Sequence, residues 1–280
     1  MRNIGFDYIV ESVEKLVVET NCFLPGDVFN SIKKARGKED SRYACFFLDQ
    51  IIANAEIAAS ESLPLCQDTG VAVFFVDMGM DVYVESPGIN EAINEGVRRG
   101  YKNGGLRLSM VKDPLRRENT GDNTPAVIHY KPVAGDKITV YFCPKGGGCE
   151  NMSRLKMLSP GEGRKGVVDF VLETVSAGGG KPCPPIIAGI GLGGNFEYSA
   201  ILSKRALLRE IGRRNPDSFI AELETELLEK INSLGIGTMG IGGKTTALDV
   251  FVETSPCHIA SMPVSVNIQC HSARHGKIEL

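Results

Sequence analysis

The stretch LPLCQDTG, residues 63–70, sets a thiol, an amide, a carboxylate and a hydroxyl side by side at Cys66, Gln67, Asp68 and Thr69. Pro64 and Gly70 suit a turn and Asp68 and Thr69 suit its capping, but a turn has no use for a cysteine. A thiolate is a nucleophile and a metal ligand. An amide donates hydrogen bonds to carboxylates, and a carboxylate accepts a proton where its surroundings set a suitable pKa. Cys183 in GKPCPPIIAGIG and Cys270 in VNIQCHSARHG share the setting of Cys66, at the edge of an apolar strand-like run beside turn-forming or polar residues. Strand ends converging on one rim would bring these three thiols together. Of the other five cysteines, Cys22 and Cys45 fall in helical patterns and read as small buried apolar residues. Cys143 and Cys257 are ambiguous, and Cys149 in KGGGCEN lies close enough to glycines to be reactive.

Spacing narrows the chemistry. There is no C-x-x-C pair, so neither a structural zinc site nor a thioredoxin-like redox pair is expected. Single cysteines far apart in sequence can still hold an iron–sulfur site, because the fold supplies the geometry. Gly189, Gly191 and Gly194 match G-x-G-x-x-G, as do Gly235, Gly237 and Gly240. The first lacks the second strand of a βαβ unit and the second follows a helix, so dinucleotide binding is set aside. GTMGIGGKTT misses the first glycine of a phosphate loop, with Thr238 in its place. These glycines read as tight turns and close backbone approach, or as a backbone N–H cavity for an oxyanion.

The elements that must position such groups follow from periodicity. FDYIVESVEKLVVETNCF, SRYACFFLDQIIANAEIAASES and INEAINEGVRRGYKNGG have helical spacing. VAVFFVDMG and DVYVES read as strands, and TPAVIHYKPV and DKITVYFCP as a hairpin around AGD. Helix KGVVDFVLETVSAGGG precedes PPIIAGIGLGG, a short buried strand entering a glycine loop. Helices SAILSKRALLREIG and PDSFIAELETELLEKINSLG follow, and the end alternates in the strand manner. The fold class expected is mixed α/β, with partly antiparallel sheets surrounded by helices. With no Pro- or Ser-rich linker, residues 1–280 read as a single large domain, and no repeat surrounds the two glycine clusters.

Composition closes other routes. Net charge is −3 with 31 Lys and Arg scattered along the chain, tryptophan is absent and aromatics are 7%, so no nucleic-acid footprint is expected. No apolar run is long enough for a membrane span, and the amphipathic start lacks a signal peptide's apolar core. A cytoplasmic location is expected, with the eight cysteines not in disulfides.

LPLCQDTG, ENTGDNTPAVIHY, KGGGCENMSRLKML, CPPIIAGIGLGG and QCHSARHG, in this order from about residue 10 to the carboxyl terminus, resemble the α subunit of the iron–sulfur hydro-lyases, the class I fumarases and L-tartrate dehydratases. The resemblance implies that Cys66, Cys183 and Cys270 hold a [4Fe–4S] cluster whose fourth iron stays open as a Lewis acid for a small dicarboxylate substrate. It implies that Gln67 and Asp68 face that substrate and that Arg107 binds one of its carboxylates. Gly146, Gly147 and Gly148 match a backbone segment near the substrate, and His258 matches an active-site histidine; His129, His271 and His275 do not. The NTGDN segment, Asn119 to Asn123, either shapes the site or merely builds a loop. Single-chain relatives are longer, so a separate β subunit is expected to complete the site, with an α homodimer inside a heterotetramer. Reversible hydration of fumarate to L-malate is the preferred reaction, L-tartrate dehydration the alternative, and a non-catalytic metal-binding or scaffold protein the remote one.

Overall fold

A computed structural model describes residues 1–280. The backbone forms two compact units, each assembled from separated stretches of chain, which is why no linker marks them in the sequence. The first comprises Met1–Pro25, Ala55–Gly147 and Arg274–Leu280; the second comprises Gly26–Asn54 and Gly148–Ala273.

In the first unit, β1 (Arg2–Ile4), α1 (Phe6–Cys22), β2 (Val71–Gly79), β3 (Val82–Val84), α4 (Ile89–Asn103), β4 (Val127–Val133), β5 (Ile138–Lys145) and β10 (Gly276–Glu279) surround one core. The apolar face of α1 (Ile9, Val10, Val13, Val17) closes on Ala92, Ile93 and Val97 of α4 and on Phe74, Val76, Val140 and Phe142 of the sheet. β2 carries buried residues on both faces, as a central strand must. In the second unit, α2 (Gly26–Lys38), β6 (Arg154–Leu158), α6 (Gly163–Gly178), β7 (Ile186–Gly194), α7 (Phe196–Ala206), α8 (Ser218–Ser233), β8 (Ala247–Cys257) and β9 (Met262–Gln269) do the same, with Val171, Val175, Ile190, Leu227, Val250 and Val266 at the centre. α3 (Arg42–Glu61) begins in the second unit and ends in the first, and α5 (Gly147–Glu150) is a single turn. No helix is long and apolar enough to cross a membrane.

Each unit holds a four-stranded mixed sheet, in the orders β10-β5-β2-β4 and β6-β9-β7-β8. In both, the first two pairings are antiparallel and the third is parallel. A central strand (β2 or β7) leads through helix to a parallel neighbour. A four-residue turn, Ala134–Lys137 or His258–Ser261, then carries the chain over the end of the central strand to its other side.

That turn corrects the hairpin expected around AGD: β4 and β5 never pair, because β2 lies between them. The end of β2 bonds into the turn instead, Gly79 N–H to Lys137 O at 2.9 Å and Asp81 N–H to Gly135 O at 3.0 Å. A Cβ on Gly79 would stand 2.4 Å from Gly135 O, so only glycine lets the turn sit this close. GIGLGG also differs from expectation. It is not a loop but the second half of β7, and α7 crosses it so closely that a Cβ on Gly191 would meet Ser199 O at 1.9 Å. The space that a phosphate or oxyanion would need is filled by helix backbone.

Candidate active site

The Cys66 loop enters β2 in the first unit, and three of its carbonyl groups turn inward to buried donors. The Asp68 carbonyl accepts from Arg274 Nη2 at 2.8 Å. The Thr69 and Gly70 carbonyl oxygens lie 2.7 and 3.0 Å from the Tyr101 hydroxyl, and Asn123 Nδ2 donates to Gly70 O at 3.2 Å. Burial drives the Tyr101 phenol above its ordinary range, so it stays protonated and a donor. With the carbonyls held inside, the remaining groups face out. Gln67 is exposed, Cys66 and Asp68 are half-buried, and Asp68 N–H points at Cys66 Sγ, 3.4 Å away.

The Asp68 carboxylate is held by three donors. Oδ1 accepts from Gly70 N–H at 3.1 Å and lies 3.2 Å from Arg107 Nη2; Oδ2 accepts from Gly147 N–H at 2.8 Å. Thr69 Oγ1 in turn donates to Arg107 O at 2.9 Å, so the hydroxyl fixes the arginine's backbone rather than capping a turn. Asn123 settles the part played by NTGDN. Fully buried at φ 60°, a conformation asparagine tolerates, it accepts from Ser109 N–H and Met110 N–H at 2.6 and 3.2 Å while donating to Gly70. Through Asn123 the segment braces the backbone of the Cys66 loop.

The second unit brings Cys183 and Cys270 onto adjacent backbone. Cys183 sits at φ 55° in the turn entering β7, where its N–H donates to Gly180 O at 3.1 Å. Its carbonyl oxygen accepts from His271 N–H at 3.3 Å and lies 2.9 Å from His271 Nδ1. Cys270 immediately follows Gln269, the β9 residue that pairs with Ile187 at the start of β7. Gly148 belongs to this unit as well and is exposed. Cys149 is 4% exposed with its thiol donating to Gln269 Oε1 at 3.4 Å, so it is core and not a reactive group.

His258 stands apart from these two cysteines. It lies on the turn over the far end of β7, where Gly194 pairs with Cys257. Seven residues at about 3.3 Å each put roughly 23 Å of sheet between it and Cys270. Its Nδ1 accepts from Ala260 N–H at 3.1 Å, a local turn contact.

Position in the two sheets relates the remaining residues. Cys66 and Cys183 both precede the central strand, and Gly146 and Cys270 both follow the strand antiparallel to it. Thiols dominate the donor set. Cys66, Cys183 and Cys270 are each half-buried, none of the eight cysteines is in a disulfide, and a backbone N–H already points at Cys66 sulfur. This suits a thiolate-ligated iron–sulfur cluster, whose sulfurs take such hydrogen bonds. No three His, Cys, Asp or Glu side chains gather as a single ion requires; a cluster's ligands sit on separate corners.

Reading the sequence missed Tyr101, Arg274, Asn21 and His271. Arg274 and His271 stand inside QCHSARHG, where Cys270 alone is a site candidate; nothing in the local pattern marks Tyr101 or Asn21.

The family described as Fumarate hydratase (Fumerase) matches residues 10–279. A Methanocaldococcus jannaschii protein named "Putative L(+)-tartrate dehydratase subunit alpha" is 47% identical over 274 residues, 96% of either chain. The L(+)-tartrate dehydratase subunit alpha of Escherichia coli K12 is 31% identical over 273 residues, covering 96% of this chain and 90% of its own; that of Shigella sonnei gives the same figures. With the match running almost end to end, the chain belongs to the class I fumarase and L-tartrate dehydratase α-subunit family of hydro-lyases.

Proposed function

We propose that this chain is the α subunit of an L-tartrate dehydratase and that a separate β subunit completes its site. The observation carrying this is the 47% identity with a protein named for that subunit over 96% of both chains. It favours L-tartrate over fumarate, the substrate that the family resemblance puts first. Fumarate hydration remains the second reading, favoured by the description of the family whose pattern spans residues 10–279.

In this reading Cys66, Cys183 and Cys270 hold a [4Fe–4S] cluster, which when bound supplies a Lewis acid for the hydroxyl that leaves. The chain's own groups bind and orient. Arg107 is half exposed and has further N–H groups for a substrate carboxylate. Gln67 offers an amide from the exposed crest of its loop. The Asp68 carboxylate, fixed by Gly70, Gly147 and Arg107, holds or accepts a proton at a set position. Gly147 leaves backbone without side-chain bulk beside it. His258 lies too far along its own sheet to join Cys270, so in this reading any part it plays is in the site of a second copy.

The test is an anaerobic assay of the iron- and sulfide-reconstituted chain with its β partner on L-tartrate, L-malate and fumarate. The expected result is kcat/KM for L-tartrate at least tenfold above that for L-malate, with little turnover by this chain alone. The opposite preference establishes the fumarase reading. Replacing Cys66, Cys183 or Cys270 by serine is expected to abolish the brown colour and the activity together; a colourless zinc-loaded wild type would overturn the cluster.

A further inference from the structure

Arg274 is 2% exposed, and its guanidinium has two hydrogen-bond acceptors, both neutral oxygens: Asp68 O at 2.8 Å and Asn21 Oδ1 at 3.1 Å. Its Nε is buried with no partner. A buried cation facing only neutral oxygens is costly unless negative charge comes to face it. Asn21 is no stray acceptor. Its Nδ2 donates to Val17 O at 2.9 Å in α1, and its carbonyl accepts from Leu65 N–H at 2.9 Å, one residue before Cys66. The guanidinium therefore spans two points that fix the Cys66 loop, its beginning through Asn21 and its far side through Asp68.

We propose that Arg274 is the positioning residue of the Cys66–Asp68 loop, clamping the Asp68 carbonyl inward so that the thiol and carboxylate face outward. A planar fork is required for this, because an ammonium cannot reach both oxygens from one stem in the same geometry. The proposal rests on reading Cys66 and Asp68 as site residues, but not on which diacid is the substrate.

The test is amide hydrogen exchange on the full chain without cluster or substrate, so its outcome is separable from that of the substrate assay. R274M is expected to speed exchange at residues 65–70 at least tenfold while α1 and α4 keep their protection. In R274A, millimolar methylguanidinium is expected to restore loop protection, and methylammonium is not. Loop exchange within twofold of wild type in R274M, or equal rescue by both cations, would overturn the proposal. If R274M loses protection throughout, R274K decides: tenfold faster loop exchange supports the clamp, and wild-type exchange overturns it.

Discussion

Three neighbouring carbonyls, those of Asp68, Thr69 and Gly70, spend their hydrogen bonds on the interior, and this decides what the loop can show to a substrate. Tyr101 carries the largest share, since one buried hydroxyl lies within bonding distance of two of them. Tyr101→Phe keeps the ring in the core and removes only that donor. The buried Thr69 carbonyl then loses its donor, while Gly70 O keeps Asn123 Nδ2, at a cost of about 1–3 kcal/mol, to be read as a lower urea midpoint at unchanged m. Activity of the αβ enzyme should fall further than stability does, because the loop shifts before the core does. Cys66, Cys183 and Cys270 stand out in the sequence because each has a motif with a distinctive context. Tyr101 does not, and Asn123 does so only as part of NTGDN, with both readings open: an ordinary tyrosine in a helix and an asparagine in a turn acquire their roles only when distant backbone arrives beside them.

At the scale of elements, most helices and strands follow from periodicity, and the departures have one cause. TPAVIHYKPV-AGD-KITVYFCP has every local mark of a hairpin, yet pairing is settled by a strand some fifty residues earlier that inserts between the two arms. Turn chemistry fixes where a chain reverses, not which strand fills the gap. GIGLGG reads as a loop because glycine is poor in strands; what selects it is the helix lying on top. Gly191→Ala should therefore cost about 3 kcal/mol or more, since Ser199 O leaves no room and backbone must move. Gly161→Ala is the control, because its Cβ would meet only Ser159 Oγ at 3.8 Å, an ordinary contact. Its unfolding midpoint should match wild type, and a similar loss in both variants would refute close packing as the reason for glycine in β7.

For the molecule as a whole, the position of His258, far along its sheet from Cys270, sets a test of whether one chain holds a whole site. If the histidine serves another copy's site, two inactive variants should complement each other. Mixed and reassembled with the β subunit, His258→Ala and Cys66→Ser chains form hybrids with one intact site, and a two-fold pairing predicts about a quarter of wild-type activity. No recovery on mixing, with each variant inactive alone, would leave His258 without a shared role. Partition into two units was invisible in the sequence because each is stitched from separated stretches, and interleaving leaves no boundary to see.

The matching strand orders carry a consequence for where such a chain came from. Two sheets of four strands, identical in order and direction, are what duplication and fusion of one smaller ancestor would leave behind, long after the residues themselves had diverged. Each half kept a cysteine ahead of its middle strand, at Cys66 and Cys183. At the end of the strand antiparallel to that middle strand, one half holds Cys270 and the other Gly146 and Gly147, a thiol at one position and bare backbone at its counterpart.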